Sequence, residues 1–319
     1  MNNFIEQFCM SLKEFDQPII KIPNEVSPVN YDFITSNKFF PTILKKEFRK
    51  QNRESRMKFK VKNTVIDMII LSKDDEDHMS FFSKYIANCI RLIEGIFKKQ
   101  INGFQIVLAL IDKPRSRLPK NKHLDTKHVN SGLCVSFNNS PPLIFIYRRQ
   151  EICKVIVHEL LHAYHIHPFS YPKEIDTILI KKYNIELRNK ESLNVFEAYV
   201  ECMAIILNSL LFDEMFKTKN TLEKEIAHQI YTVNQLNKYK PYSQSTNVFA
   251  YVYLKTYLLC HIDSILKNME DTHYCIYDTS MIIPEKRMIF KKINKNKFNS
   301  TITLNKMDIF KTYLKLVQS

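Results

Sequence analysis

Residues 151–168 read EICKVIVHELLHAYHIHP. Within them, His158-Glu159-Leu160-Leu161-His162 has the form H-E-x-x-H and follows the apolar Val155-Ile156-Val157. The run predicts a helix, and Pro168 supplies a stop. Residues four apart on a helix stand one turn apart on one face, with Cβ atoms about 5–6 Å from each other. Two imidazoles so placed reach a single ion at about 2.0–2.1 Å. Glu159 then sits beside that ion, where a carboxylate can take a proton from activated water and pass it to a leaving amine. The competing reading is a core helix that carries two satisfied histidines.

An open catalytic site needs a third protein ligand. His165 and His167 lie nearby, but they do not fit the H-E-x-x-H-x-x-G-x-x-H pattern. Its Gly position falls on His165 and its third His position on Pro168. These two histidines read better as supporting or surface residues. Residues 192–212, SLNVFEAYVECMAIILNSLLF, predict a long buried helix that carries Glu197 and Glu201 four apart. Acidic side chains are almost never fully buried without a partner. Two carboxylates on one face of so apolar a helix therefore call for cations or a metal. The simplest assignment gives Glu197 to the metal and puts Glu201 behind it, accepting the free ring N–H of a ligand His. A solvent-facing acidic stripe is the alternative.

HELLH followed on a second helix by E-x-x-x-E resembles the gluzincin branch of zinc metallopeptidases. The resemblance implies His158, His162 and Glu197 as ligands to one zinc per chain, Glu159 as general base and Glu201 as the acid behind the site. The interval from His162 to Glu197 is longer than in compact thermolysin-like members, which implies an inserted loop or helix and leaves Glu201 as the competing ligand. The longer stretch HVNSGLCV…LIFIYRRQEICKVIVHELLHAYH is also similar to uncharacterised metallopeptidases of large DNA viruses, over roughly residues 104–260. In zincins an antiparallel edge strand pairs with extended substrate. VNSGLCVSF (129–137) would be that strand and LIFIYRR (143–149) its inner neighbour. Asn130, Ser131 and Gly132 would then admit a peptide backbone; a plain hairpin is the alternative. Residues 245–267 predict a helix bearing Tyr251, Tyr253, Tyr257 and His261. Tyr251 is the choice for an oxyanion donor, against simple core packing.

Elsewhere, MKFKVKNTVIDMIIL (57–71) reads as strand, residues 79–99 as an amphipathic helix and FQIVLALI (104–111) as strand. Asp74–Asp77 favour a helix start. Asn138 to Pro142 read as a turn, and the chain becomes strand-prone again from about 274. The expected architecture is α+β and zincin-like. Residues 1–55 would form an extension or subdomain. Residues 56–168 would form a lobe with a small twisted mixed sheet and the active helix. Residues 169–319 would form a mainly helical lobe with the third ligand.

Composition narrows the function. With 3 Gly among 319 residues, no Gly-rich phosphate loop or dinucleotide fingerprint can be written. The 7 Cys form no CxxC pair and several lie in apolar runs, which suits reduced, buried thiols in an intracellular, cytoplasmic setting. No secretory signal and no membrane-length apolar run is evident. The net charge of +14 allows an acidic partner, nucleic acid included, although the Lys and Arg residues are spread and their densest runs are at 45–50 and 286–297. The expected activity is zinc-dependent hydrolysis of a protein or peptide substrate. An amidase or carboxypeptidase-type reaction is its enzymatic variant. A non-catalytic zinc-stabilised basic binding protein, associated with a virion or nucleic acid, is the rival.

Overall fold

A computed structural model describes residues 10–262 apart from 12, 16, 24–28, 74–77, 117–122, 138–139, 167–173, 188–191 and 238–241. The expectations for Asp74–Asp77, Asn138-Asn139, His167, Pro168, the basic run at 286–297 and the segment from 274 lie outside the described residues. The described chain falls into two compact units. The first holds the described residues up to Pro114 together with Asn130–Ile166. The second holds the described residues of Arg115–Val129 and those from 174 onward. The described part of the stretch 1–55 is thus built into the first unit.

The first unit is a mixed six-stranded sheet with helices. Its elements are β1 (Ile20–Ile22), α1 (Tyr31–Ser36), α2 (Lys45–Phe48), β2 (Arg53–Val61), β3 (Thr64–Ser72), α3 (Met79–Phe97), β4 (Gly103–Ala109), β5 (Gly132–Phe137), β6 (Ser140–Ile146) and α4 (Ile152–Ala163). The strand order is β1-β2-β3-β4-β6-β5. Strands β3, β4 and β6 run parallel, while β1, β2 and β5 pair antiparallel. A mixed sheet with helices is thus observed, compatible with the expected α+β class.

Alternation along the strands sorts the apolar residues onto two faces. Ile69, Leu71, Val107, Ala109, Leu133, Leu143, Phe145 and Tyr147 form one core with Ile34, Phe40 and Leu44 of the N-terminal segment. Ile66, Met68, Ile70, Ile106, Leu108, Ile144 and Ile146 are buried on the alternate positions. Helix α4 packs against β5 and β6 and against α3, where the Tyr85 hydroxyl donates to the Cys153 carbonyl at 3.2 Å.

Two sequence expectations for this unit need correction. Residues 57–71 are not one strand: β2 and β3 form a hairpin, with Val61 paired to Thr64 across Lys62-Asn63. Lys62 takes φ 52, the left-handed conformation such a two-residue turn demands. Residues 138–142 are not wholly turn either, because β6 already begins at Ser140 and Phe137 pairs with it. The register slips between Val135 and Phe137, opposite Pro141 and Pro142, which have no N–H to give the ladder. Helix α4 ends before Pro168. His165 adopts φ 54, its N–H bonds to the His162 carbonyl at 2.9 Å, and the Ile166 N–H reaches back to the Leu161 carbonyl at 2.9 Å. That is a Schellman closure with a buried apolar residue behind it.

The second unit carries α5 (Glu174–Tyr183), α6 (Phe196–Phe216), α7 (Thr221–Asn237) and α8 (Lys255–Cys260). Three short parallel strands, His123–Leu124, Tyr242–Gln244 and Ile185–Leu187, form a small sheet in that order. Residues 245–267 are not one regular α-helix. A π-turn, Ala250–Leu254, precedes α8. Among the described residues no helix is long and apolar enough to cross a membrane.

Candidate metal centre

Helix α4 runs through the interior, and eleven of its twelve residues are buried. His158 and Glu159 are themselves buried, and His162 is half-buried. The two histidine Nε2 atoms lie 3.1 Å apart, with the rings inclined at 69°. Two nitrogens bound at about 2.05 Å to one tetrahedral ion stand roughly 3.3 Å apart. That spacing is compatible with two ligands of a common centre and equally with one ring N–H donating to the other ring nitrogen. One ligand atom from each of His158, Glu159 and His162 falls within 4.8 Å of the others, and this is the metal-capable group found among the described residues.

Glu159 faces the edge strand. A Cβ built on Gly132 would lie 2.8 Å from Glu159 Oε1, 2.7 Å from Val155 Cγ1 and 3.2 Å from the Phe145 carbonyl oxygen. The missing side chain at 132 thus makes room for α4, on the helix side of β5. Cys134, two residues along the same face, is close enough for the Glu159 charge to act on it. Burial first, and that carboxylate second, push the Cys134 thiol well above its ordinary range. It therefore stays protonated.

Asn130 and Ser131 lie just before β5 and are buried. The Asn130 carbonyl accepts from Arg148 Nε at 3.0 Å. The Ser131 hydroxyl donates to Glu151 Oε2 at 2.6 Å, and its carbonyl accepts the Tyr147 N–H at 2.9 Å. Arg148 is fully buried and also donates to the Lys113 carbonyl at 2.7 Å. Sequence reading assigned residues 130–132 to substrate and missed Arg148 and Glu151. The available signal was the charge of RRQE at a strand-to-helix junction. His165, at the helix end, is exposed, and its carbonyl accepts from Lys99 at 2.7 Å.

The remaining predicted residues belong to the second unit. Glu197 is in the first turn of α6 and half-buried; its Oε2 accepts the Tyr251 hydroxyl at 3.2 Å. Glu201, one turn on, is buried and stands 3.7 Å from Lys255 Nζ, which is equally buried. Tyr251 and Lys255 are also four apart, so the two carboxylates of α6 face a hydroxyl and an ammonium in matching order. The sequence called for cations or a metal opposite these acids. Lys255 is one, recognisable afterwards as the single charge in AYVYLKTYLL. No protein-family model matches the chain, and no curated protein is significantly similar to it.

Proposed function

We propose that the protein is a zinc-dependent hydrolase of peptide bonds, gluzincin-like, with Glu159 as general base. The observation that carries the reading is the convergence of the two Nε2 atoms, 3.1 Å apart, beside a buried carboxylate on one helix. Two imidazoles and a carboxylate are the donor set that zinc takes. His158 and His162 would hold the ion. The sequence resemblance, rather than any measured distance, nominates Glu197 as third ligand. Bound there, zinc would supply Lewis acidity to a scissile carbonyl and lower the pKa of water.

The chain's own residues account for the rest. Glu159 is buried, so its proton transfers would run to the reacting atoms and not to bulk water. Its carboxylate would take a proton from the attacking water and release it to the departing amine. Among the described residues, strand β5 is the sheet edge next to that carboxylate and is paired on one side only, so an extended peptide could add as a further strand on the other. The net charge of +14 favours acidic substrates or partners.

Glu159→Gln tests the reading. It should retain zinc and thermal stability while peptide hydrolysis falls by at least 10³-fold, the order a lost general base and its charge cost. A variant that hydrolyses peptides at the parent rate would refute the assignment. So would loss of zinc with the fold intact, because Glu159 would then be a ligand.

A further inference from the structure

Several polar groups of Asn130 and Ser131 are engaged within the chain. Their carbonyls at 130 and 131, and the hydroxyl of Ser131, are engaged by Arg148, Tyr147 and Glu151. A Cβ at Gly132 would point at α4 and press on Glu159 Oε1 and Val155 Cγ1 at once. The strand and the helix are therefore locked at two places. Ser131 grips Glu151 at the helix start, and Gly132 accepts the Glu159 carboxylate two turns later. Arg148, fully buried, ties the start of this strand to residue 113. A carboxylate has two free torsions beyond its Cβ, so a base needs something to hold its oxygens in register. On β5 the position that would block Oε1 is the one that lacks a side chain.

We propose that Gly132 is a positioning residue for Glu159: the absent Cβ forms the seat for Oε1, and the Ser131–Glu151 and Arg148–Asn130 bonds hold that seat against α4. The inference rests on the role given to Glu159 above. It also changes what the edge strand does. Residues 130–132 set the base from behind, and peptide contacts would fall to the outer edge of β5.

The geometry suggests a way to separate seating from packing. Gly132→Ala collides with both Val155 and Glu159. Adding Val155→Ala removes the 2.7 Å contact and leaves the 2.8 Å contact with Oε1. The double variant should fold cooperatively and keep the parent's zinc content. Its kcat should nevertheless stay about 10–100-fold low, the scale of a sub-ångström to 1 Å misplacement of a reacting group. KM should change little, and the acid limb of the kcat–pH profile should move, because the carboxylate that titrates has been displaced. A parent-like kcat and an unmoved acid limb in the double variant would overturn the inference. A second measurement needs no activity. In urea, Gly132→Ala should lower the midpoint markedly in the Val155→Ala background. It should lower it by less than half as much once Glu159→Ala has emptied the seat. Equal shifts in both backgrounds would overturn the seat. Absence of Glu159-dependent hydrolysis in the parent would instead overturn the functional reading, and the urea comparison would still decide whether the seat exists.

Discussion

Replacing Lys255 by Met tests the buried pair on α6 and α8. The ammonium lies 3.7 Å from Glu201 Oε1, and the two side chains are only 7% and 6% exposed. Coulomb's law at an effective dielectric of about 20 gives roughly 4.5 kcal/mol for unit charges at that distance. Desolvation offsets much of this in the intact pair, so the pair itself adds little net stability. Removing one partner is different, because it strands a carboxylate in an apolar helix and costs about 3–5 kcal/mol. Met has nearly the length of the Lys stem, so little cavity term is added. Urea denaturation should show Lys255→Met losing about 3–5 kcal/mol. Lys255→Met with Glu201→Gln should regain at least half of that, since the charge that needed a partner is gone. The coupling read from the double-mutant cycle should be about 2–3 kcal/mol. Additive losses, with coupling under about 0.5 kcal/mol, would refute the pairing and return Glu201 to the role of accepting a ligand-histidine N–H.

Two further outcomes follow from other features. Burial pushes the thiols of Cys89, Cys134, Cys153 and Cys202 well up. Each stays protonated in the folded chain while its unfolded counterpart ionises above the ordinary value of about 8.5. Stability is therefore intact below that value and falls as pH rises past it, by roughly 1.4 kcal/mol per thiol per pH unit; a flat urea midpoint from pH 8 to 10 would refute this. If the +14 charge serves an acidic partner, affinity for a polyanionic peptide should drop at least tenfold between about 50 and 200 mM salt. A salt-independent affinity would leave the charge without that role.

The helix that carries His158 and His162 is legible because the 3.6-residue period and the four-residue spacing are local properties. The pairing of β5 with β6 is legible too, since two apolar strand-prone runs flank the short Asn-Asn-Ser-Pro-Pro segment. What escaped was set by tertiary partners or by unusual backbone. The Lys62-Asn63 turn interrupts a pattern that continues in phase on both sides, so periodicity alone reads through it. The end of α4 is written in a left-handed His165 without the Gly that usually announces such a closure. The π-turn at Ala250–Leu254 has no sequence signature, yet it carries Tyr251 toward Glu197. Glu201 visibly needed a cation or a metal nearby, but the sequence could not say that Lys255, more than fifty residues on, would stand beside it. The sequence reading singled out Gly132 as the place where a substrate backbone would approach. The approaching group is Glu159 and Val155 of the chain itself, which only coordinates reveal.

The central claim is that His158 and His162 hold a metal ion. Purified chain, dialysed against zinc and then against metal-free buffer, should retain about one zinc per molecule by elemental analysis. His158→Ala and His162→Ala, each folded as judged by circular dichroism, should retain less than a tenth of that. Zinc retained equally by both variants, or absent from the parent chain, would contradict the account.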